Sequence, residues 1–363
     1  MKKLSLLVFS VVLAAIAVSC TKENVSGNND PADINQEVGE KLFILNQGAY
    51  PACSTLDVLD LSTNTYTADF FGKANPDVTD GMGNTGNDMA IVGDKLWVAM
   101  NASNQVAILD PATGELELFL ALDSPRYILA QGDYVYVTSY GSAVWGGAPA
   151  KGLVYRVTAN FSNKGIPVGY QPEGLAILGD KLYVANSGGY NEEKDNTITV
   201  IGLDGFNVTG TLEMPVHNLN RLFAAGGKLW LSTYDTYAAD YSVTEAASLG
   251  SVTADGTYTA IPNVYPAIIT CVVDTLYAAS GNQLWKIAAT DSSVTPITLK
   301  DKSGEPFAFT YAYGIAVHPV SGDIYVADPG YFTGDSLLHC FGPDGIHKWQ
   351  VTTGVGTGPL LVW

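Results

Sequence analysis

The sequence predicts an all-β fold, a seven-bladed β-propeller whose C-terminal strand completes the first blade. Three observations predict it. GDKLWVAM at residues 93–100 returns as GDKLYVAN at 179–186. Relatives of that octapeptide recur about every 46 residues, the length of one propeller blade. An unmatched apolar segment, GPLLVW at 358–363, stands at the far end of the chain from the one copy that lacks a preceding strand.

Each copy begins at a Gly-Asp or similar turn and continues as an alternating strand. In the first, Leu96, Val98 and Met100 point one way and Trp97 and Ala99 the other. The other copies are EKLFILNQ from Glu40, GDYVYVTS from Gly132, GGKLWLST from Gly226, VDTLYAAS from Val273 and GDIYVADP from Gly322. Their matched aromatics are Phe43, Trp97, Tyr136, Tyr183, Trp230, Tyr277 and Tyr325. Six copies follow a short apolar strand: NDMAIV, PRYILA, PEGLAI, NRLFAA, PAIITC or YGIAVH. The copy at Phe43 does not, so GPLLVW is assigned as its inner neighbour. Ring closure removes the free edges that an open array of sheets would expose. A third strand (NQVAILD, GLVYRVT, NTITVIG, NQLWKIA, SLLHCFG), a turn and a fourth strand complete each blade.

Antiparallel neighbours alternate ends, so the two faces of the ring receive different loops. First-to-second turns such as VGDK, LGDK and AGGK are brief. Second-to-third loops are long and unequal, among them NQGAYPACST, YGSAVWGGAPAKG, NSGGYNEEKDN, TYDTYAADYSVTEAAS and DPGYFTGDS. Binding residues concentrate on variable loops held by a rigid scaffold. These loops carry Tyr50, Tyr140, Trp145, Tyr190, Tyr234, Tyr237, Tyr241, Tyr331 and Phe332, and the connectors between blades add Tyr127, Tyr170, His217, Tyr265, Tyr311 and Tyr313. Aligning the inner strands on their turns brings Asn87, Arg126, Glu173, Asn220, Ala267, Tyr313 and Gly358 to the channel mouth. Convergent polar groups under an aromatic rim form a small-molecule site. A self-satisfied ring, with Arg126 paired to Glu173, is the competing reading. The candidate ligand-binding residues are Asn87, Arg126, Tyr140, Trp145, Glu173, Tyr190, Asn220, Tyr237, Tyr313 and Tyr331.

The N-terminus reads as an export signal. Lys2 and Lys3 precede an apolar run from Leu4 to Val18, too short to span a bilayer. The run ends Ala17-Val18-Ser19-Cys20, a lipobox pattern in which residues 1–19 are removed and Cys20 is lipidated. An ordinary signal peptide is the alternative. Residues 20–40 read as a flexible, lipidated tether and 41–363 as the propeller. Removing 1–19 takes two of the 18 basic residues and none of the 36 acidic ones, moving the net charge from −18 to about −20. That deficit of cations argues against nucleic acid as a partner. Cys53, Cys271 and Cys340 remain, an odd number with no CxxC or Cys/His cluster to hold zinc, so no metal or cofactor is expected and the cysteines read as small core residues.

The GDKLYVAN…NTITVIGLDG pattern resembles the YncE-like, surface-layer-type propellers. With the LFILNQG opening, the lipobox and seven blades, it is similar to surface lipoproteins of gut Gram-negative bacteria, including the BtuG family that captures cobalamin. The resemblance covers nearly all of residues 41–363 and is specific for fold rather than ligand. It implies an outer-membrane, cell-surface lipoprotein that grips a corrinoid on its loop face and passes it to a TonB-dependent transporter. Two other classes stay open. A propeller lactonase or lyase would place a metal or a histidine at the mouth, with Glu173 and Asn220 as two ligands. Of four histidines only His217 is expected near it, without a clear acid partner, and GxSxG, HExxH and P-loop motifs are absent. A protein-binding propeller would use the same exposed aromatic face.

Overall fold

The computed structural model describes residues 40–49, 52–144 and 146–363. The signal segment, Cys20, the tether up to residue 39, Tyr50 and Trp145 lie outside the described residues. Seven four-stranded antiparallel sheets follow one another along the chain. Five are built from consecutive strands, spanning 86–121, 125–170, 172–213, 268–298 and 314–355, and a sixth, 219–260, holds a separate two-stranded hairpin, Thr236–Tyr237 with Val243–Glu245, between its second and third strands. The first blade combines Lys41–Asn46, Thr55–Asp60 and Thr65–Thr67 with Thr357–Val362 on the inner side. Leu42 pairs with Val362, Phe43 with Leu361 and Ile44 with Leu360, and Lys41 and Trp363 exchange backbone hydrogen bonds of 2.8 Å. The ring closes as the sequence predicts.

The repeated octapeptides are the second strands of blades 2 and 4, Lys95–Met100 and Lys181–Asn186. Their glycines, Gly93 and Gly179, have φ of 59° and 64°, the left-handed values that a Gly-first two-residue hairpin turn requires. Both faces of these strands are buried, because each blade is covered by a neighbour on either side. Leu96 and Val98 pack with Phe43 and Leu45 of blade 1, while Trp97 and Ala99 pack with Ile128 and Val137 of blade 3. The described residues form seven apolar clusters, one at each blade junction. Each matched aromatic, from Phe43 to Tyr325, sits in the cluster its blade shares with the next. The recurring aromatic is therefore the side chain that joins blade to blade.

Closure is also written into the inner strands. A Cβ at Gly314, on the innermost strand of blade 7, would lie 1.7 Å from the carbonyl oxygen of Gly358 on that of blade 1. Only glycine permits that approach. The connector from blade 1 to blade 2 contains a helix that the repeat pattern did not signal, Phe70–Ala74. Asp69 caps it by accepting from the Gly72 N–H, and Phe71 is buried in the junction of the two blades. Buried Cys271 and Cys340 lie in blade junctions, and Cys53 is partly exposed.

Candidate functional site

The inner strands of blades 2 to 5 begin irregularly. Their pairing with the second strand slips between Gly86 and Asp88, Pro125 and Ile128, Pro172 and Leu175, and Leu219 and Leu222. A bulge sets two residues opposite one and suspends strict alternation. Consecutive residues consequently reach the same side. Asn87 with Asp88, Arg126 with Tyr127, and Asn220 with Arg221 all line an axial cavity of about 500 Å³ on the long-loop face. Tyr234, Asp235, Tyr237, Tyr311 and Tyr313 contribute to its walls.

Arg126 anchors one side. Its Nε and Nη2 donate to Glu173 Oε2 at 3.0 and 2.7 Å, and its Nη1 donates to Asn87 Oδ1. Asn87 Nδ2 returns a 2.9 Å bond to the Arg126 carbonyl. The guanidinium lies 4.6 Å from the Tyr140 ring, and the Tyr140 hydroxyl donates to Glu173 Oε1. Burial, reinforced by Glu173, pushes the Tyr140 hydroxyl well above its ordinary range, so it stays a donor. Tyr190 meets the Tyr140 ring edge-on at 5.2 Å. The Arg126–Glu173 pairing foreseen as the competing reading is thus present, and it neutralises the Arg126 charge.

Arg221 is held differently. Its guanidinium carbon lies 4.3 Å from the centre of the Tyr127 ring, and its Nη1 is 3.8 Å from Asp88 Oδ1, beyond hydrogen-bond length. Asp88 Oδ2 accepts from the Ile128 N–H at 2.9 Å. Burial pushes the Asp88 carboxyl above the usual range, against the pull of Arg221. Opposite, Gln47 Nε2 donates to the Tyr313 hydroxyl at 2.9 Å, and the Tyr313 ring packs against Phe332 at 4.9 Å. Tyr237, on a small hairpin within the blade 5 loop, donates to Asp235 Oδ2 at 3.0 Å.

The expected site residues divide. Asn87, Arg126, Asn220, Tyr237 and Tyr313 line the cavity. Glu173 is 1% exposed beneath it, and Tyr140, expected on the rim, is 5% exposed because its loop folds back onto Glu173. Tyr190 is half-buried behind Tyr140, and Tyr331 is fully open to solvent away from the cavity. Glu173 is too committed to Arg126 and Tyr140 to act as a metal ligand beside Asn220. Asp88 and Arg221 were missed, since alternation places them on the other face. A charge inside the otherwise apolar NDMAIV and NRLFAA segments is the signal that marks them.

The histidines are also placed. His217, expected to lack an acid partner, has one: its Nδ1 is 3.1 Å from Glu245 Oε2, but neither residue lines the cavity. His318 sits in a short-face turn, and His339 and His347 on the third and fourth strands of blade 7. Among the described residues, no three His, Cys, Asp or Glu side chains gather as a metal site.

Neither a family model nor a curated protein matches the chain. Solved structures do. A protein from Lactobacillus plantarum aligns over 90% of this chain and 99% of its own, with 14% identity and a TM-score of 0.58. Apo AztD from Citrobacter koseri aligns over 90% and 99%, with 12% identity and a TM-score of 0.56. The periplasmic gluconolactonase PpgL of Pseudomonas aeruginosa aligns over 88% and 99%, with 14% identity and a TM-score of 0.56. At such identities the likeness is one of fold alone: the chain is a seven-bladed propeller, and its fold is similar to that of these three structures.

Proposed function

We propose that this propeller is a binding protein, a cell-surface lipoprotein whose ligand sits in the axial cavity on the long-loop face. One observation carries the reading. The cavity has a tyrosine-lined wall and a fixed polar anchor in Arg126, held by Glu173 and Asn87, with the side chains of Asn220 and Arg221 on the same lining. A pocket of a few hundred cubic ångströms with few, fixed polar groups is the usual form of a small-molecule site. A corrinoid is the proposed ligand, on the sequence resemblance: its amide fringe matches polar groups set among tyrosines, while its bulk would rest on the exposed Tyr237, Tyr311 and Phe332. Delivery to a TonB-dependent outer-membrane transporter follows from the same resemblance. Calorimetric titration of the purified propeller with cyanocobalamin tests the assignment. Saturable binding at micromolar protein is expected, and its absence rules out the corrinoid.

A second reading is lactone hydrolysis, the activity named for the Pseudomonas aeruginosa relative. It is favoured by Asp88, a cavity carboxyl whose affinity for its proton burial raises, as a general acid requires. Turnover of a lactone panel that disappears in Asp88→Asn would select it.

A further inference from the structure

Two arginines line the cavity, and they are held unequally. Arg126 of blade 3 donates to Glu173 of the adjacent blade 4 at 2.7 and 3.0 Å. Arg221 comes from blade 5 and faces Asp88 of blade 2. Those blades are three steps apart, the largest separation that a ring of seven allows, so this pair reaches across the channel instead of along its wall. It stops short of contact, with Nη1 3.8 Å from Oδ1. The bulges at Gly86–Asp88 and Leu219–Leu222 turn both side chains inward. Both stay partly open, at 20% exposure for the Arg221 side chain and 15% for that of Asp88. Of their polar atoms only Arg221 Nε is buried without a partner, so the facing atoms, Nη1 and Oδ1, border the cavity itself.

A donor facing an acceptor across a gap too wide for a direct bond is completed by one atom that accepts from the first and donates to the second. An oxygen can stand about 2.8 Å from each of two atoms so spaced. A hydroxyl serves both from that single oxygen. The other common groups each fail on one side. A carboxylate accepts from Arg221 but sets like charge against Asp88. An ammonium donates to Asp88 but sets like charge against Arg221. An ether accepts and cannot donate. With a charged partner on either side, both bonds of the hydroxyl belong to the stronger class. A ligand hydroxyl also reproduces the bonds of any water it displaces, so the exchange does not leave Arg221 or Asp88 short of a partner.

We infer that Arg221 and Asp88 form a subsite for a ligand hydroxyl, its oxygen accepting from Arg221 Nη1 and its O–H donating to Asp88 Oδ1. The inference rests on the cavity being a binding site and names the chemistry it selects. A sugar ring and the ribose of a corrinoid are two sources of that hydroxyl.

Benzyl alcohol, benzyl methyl ether, benzylammonium and benzoate serve as probes, titrated into the purified propeller and followed by ligand-observed NMR. The alcohol is expected to bind about tenfold tighter than each of the other three, as one hydrogen bond to a charged group provides. In Asp88→Asn the amide oxygen can keep the Ile128 N–H bond and turn its NH2 to the cavity, so the lead over the ether should fall to about threefold or less. In Arg221→Met the lead over benzylammonium should vanish. Either variant carries the comparison if the other does not fold. Equal affinity for alcohol and ether in the wild type, a preference for either charged probe, a lead unchanged in the variants, or no binding by any probe overturns the subsite. Methyl glucopyranoside and cyanocobalamin, titrated in parallel, separate the two sources: the one whose binding weakens in Arg221→Met supplies the hydroxyl. Cyanocobalamin binding without any alcohol preference would remove the subsite and leave the corrinoid. An alcohol preference without cyanocobalamin binding would do the reverse.

Discussion

Removing residues 358–363 should unfold the whole ring. In blade 1 this segment supplies the inner strand against which Leu42, Phe43 and Ile44 are fully buried. Deletion discards Leu360, Leu361, Val362 and Trp363, each partly buried, at about 1 kcal/mol apiece. It also discards the two Lys41–Trp363 backbone bonds, at about 1 kcal/mol each. The direct loss is about 6 kcal/mol, comparable to the 5–15 kcal/mol by which a typical domain is stable. Trp363 additionally packs 6.0 Å from Phe43 and lies under the Lys41 ammonium, so the aromatic of blade 1 would lose a partner too. Thermal denaturation followed by near-ultraviolet circular dichroism should show no cooperative transition, or one far below wild type. A truncated protein melting at the wild-type temperature would refute closure through this strand. Gly314→Ala probes the same junction without truncation. Its Cβ would press on the Gly358 carbonyl, and overpacking of this kind costs about 1–3 kcal/mol, visible as a lower melting temperature.

Three further outcomes follow. Glu173→Ala leaves the buried Arg126 charge and the Tyr140 hydroxyl without their acceptor, and should destabilise by about 3–5 kcal/mol in a urea titration. His339 is 3% exposed among Phe307, Phe309, Phe341 and His347, and burial, with His347 adding to it, pushes its pKa down to about 4. The folded state therefore resists a proton that the unfolded chain takes up near pH 6.5. The stability this confers is complete above 6.5 and drains as pH falls through about 4, so the melting temperature of His339→Leu should fall less than wild type across that window. Cys20→Ala should release the protein from the membrane fraction or leave it unprocessed, and unchanged fractionation would count against lipidation.

The architecture was legible because each blade repeats the same physical problem. A second strand covered on both faces needs apolar residues throughout and one aromatic to meet the next blade, so Trp97 and Tyr183 announce the same position. Closure was legible because Phe43 had no inner partner and Gly358–Trp363 had no blade. The site was legible only in part. Asn87, Arg126, Asn220 and Tyr313 follow from aligning the inner strands, but Asp88 and Arg221 depend on bulges that alternation cannot show. Pro125 and Pro172, which cannot donate to a ladder, and Gly86, a residue that often marks a bulge, hint at the irregular start of three inner strands, whereas nothing as local marks the bulge at Leu219. The fate of the loop tyrosines was not legible. Tyr140 and Tyr331 look alike in sequence, and only the Glu173 carboxylate beneath one of them decides that Tyr140 turns inward.

The central claim is that ligand occupies the axial cavity on the long-loop face. Hydrogen–deuterium exchange with and without cyanocobalamin, read by mass spectrometry, tests it most directly. Protection is predicted in peptides covering 86–88, 125–127, 219–221 and 234–237, with the short turns at 93–94 and 179–180 unchanged. Protection confined to those turns or to the outer strands, or none at saturating ligand, would contradict the account.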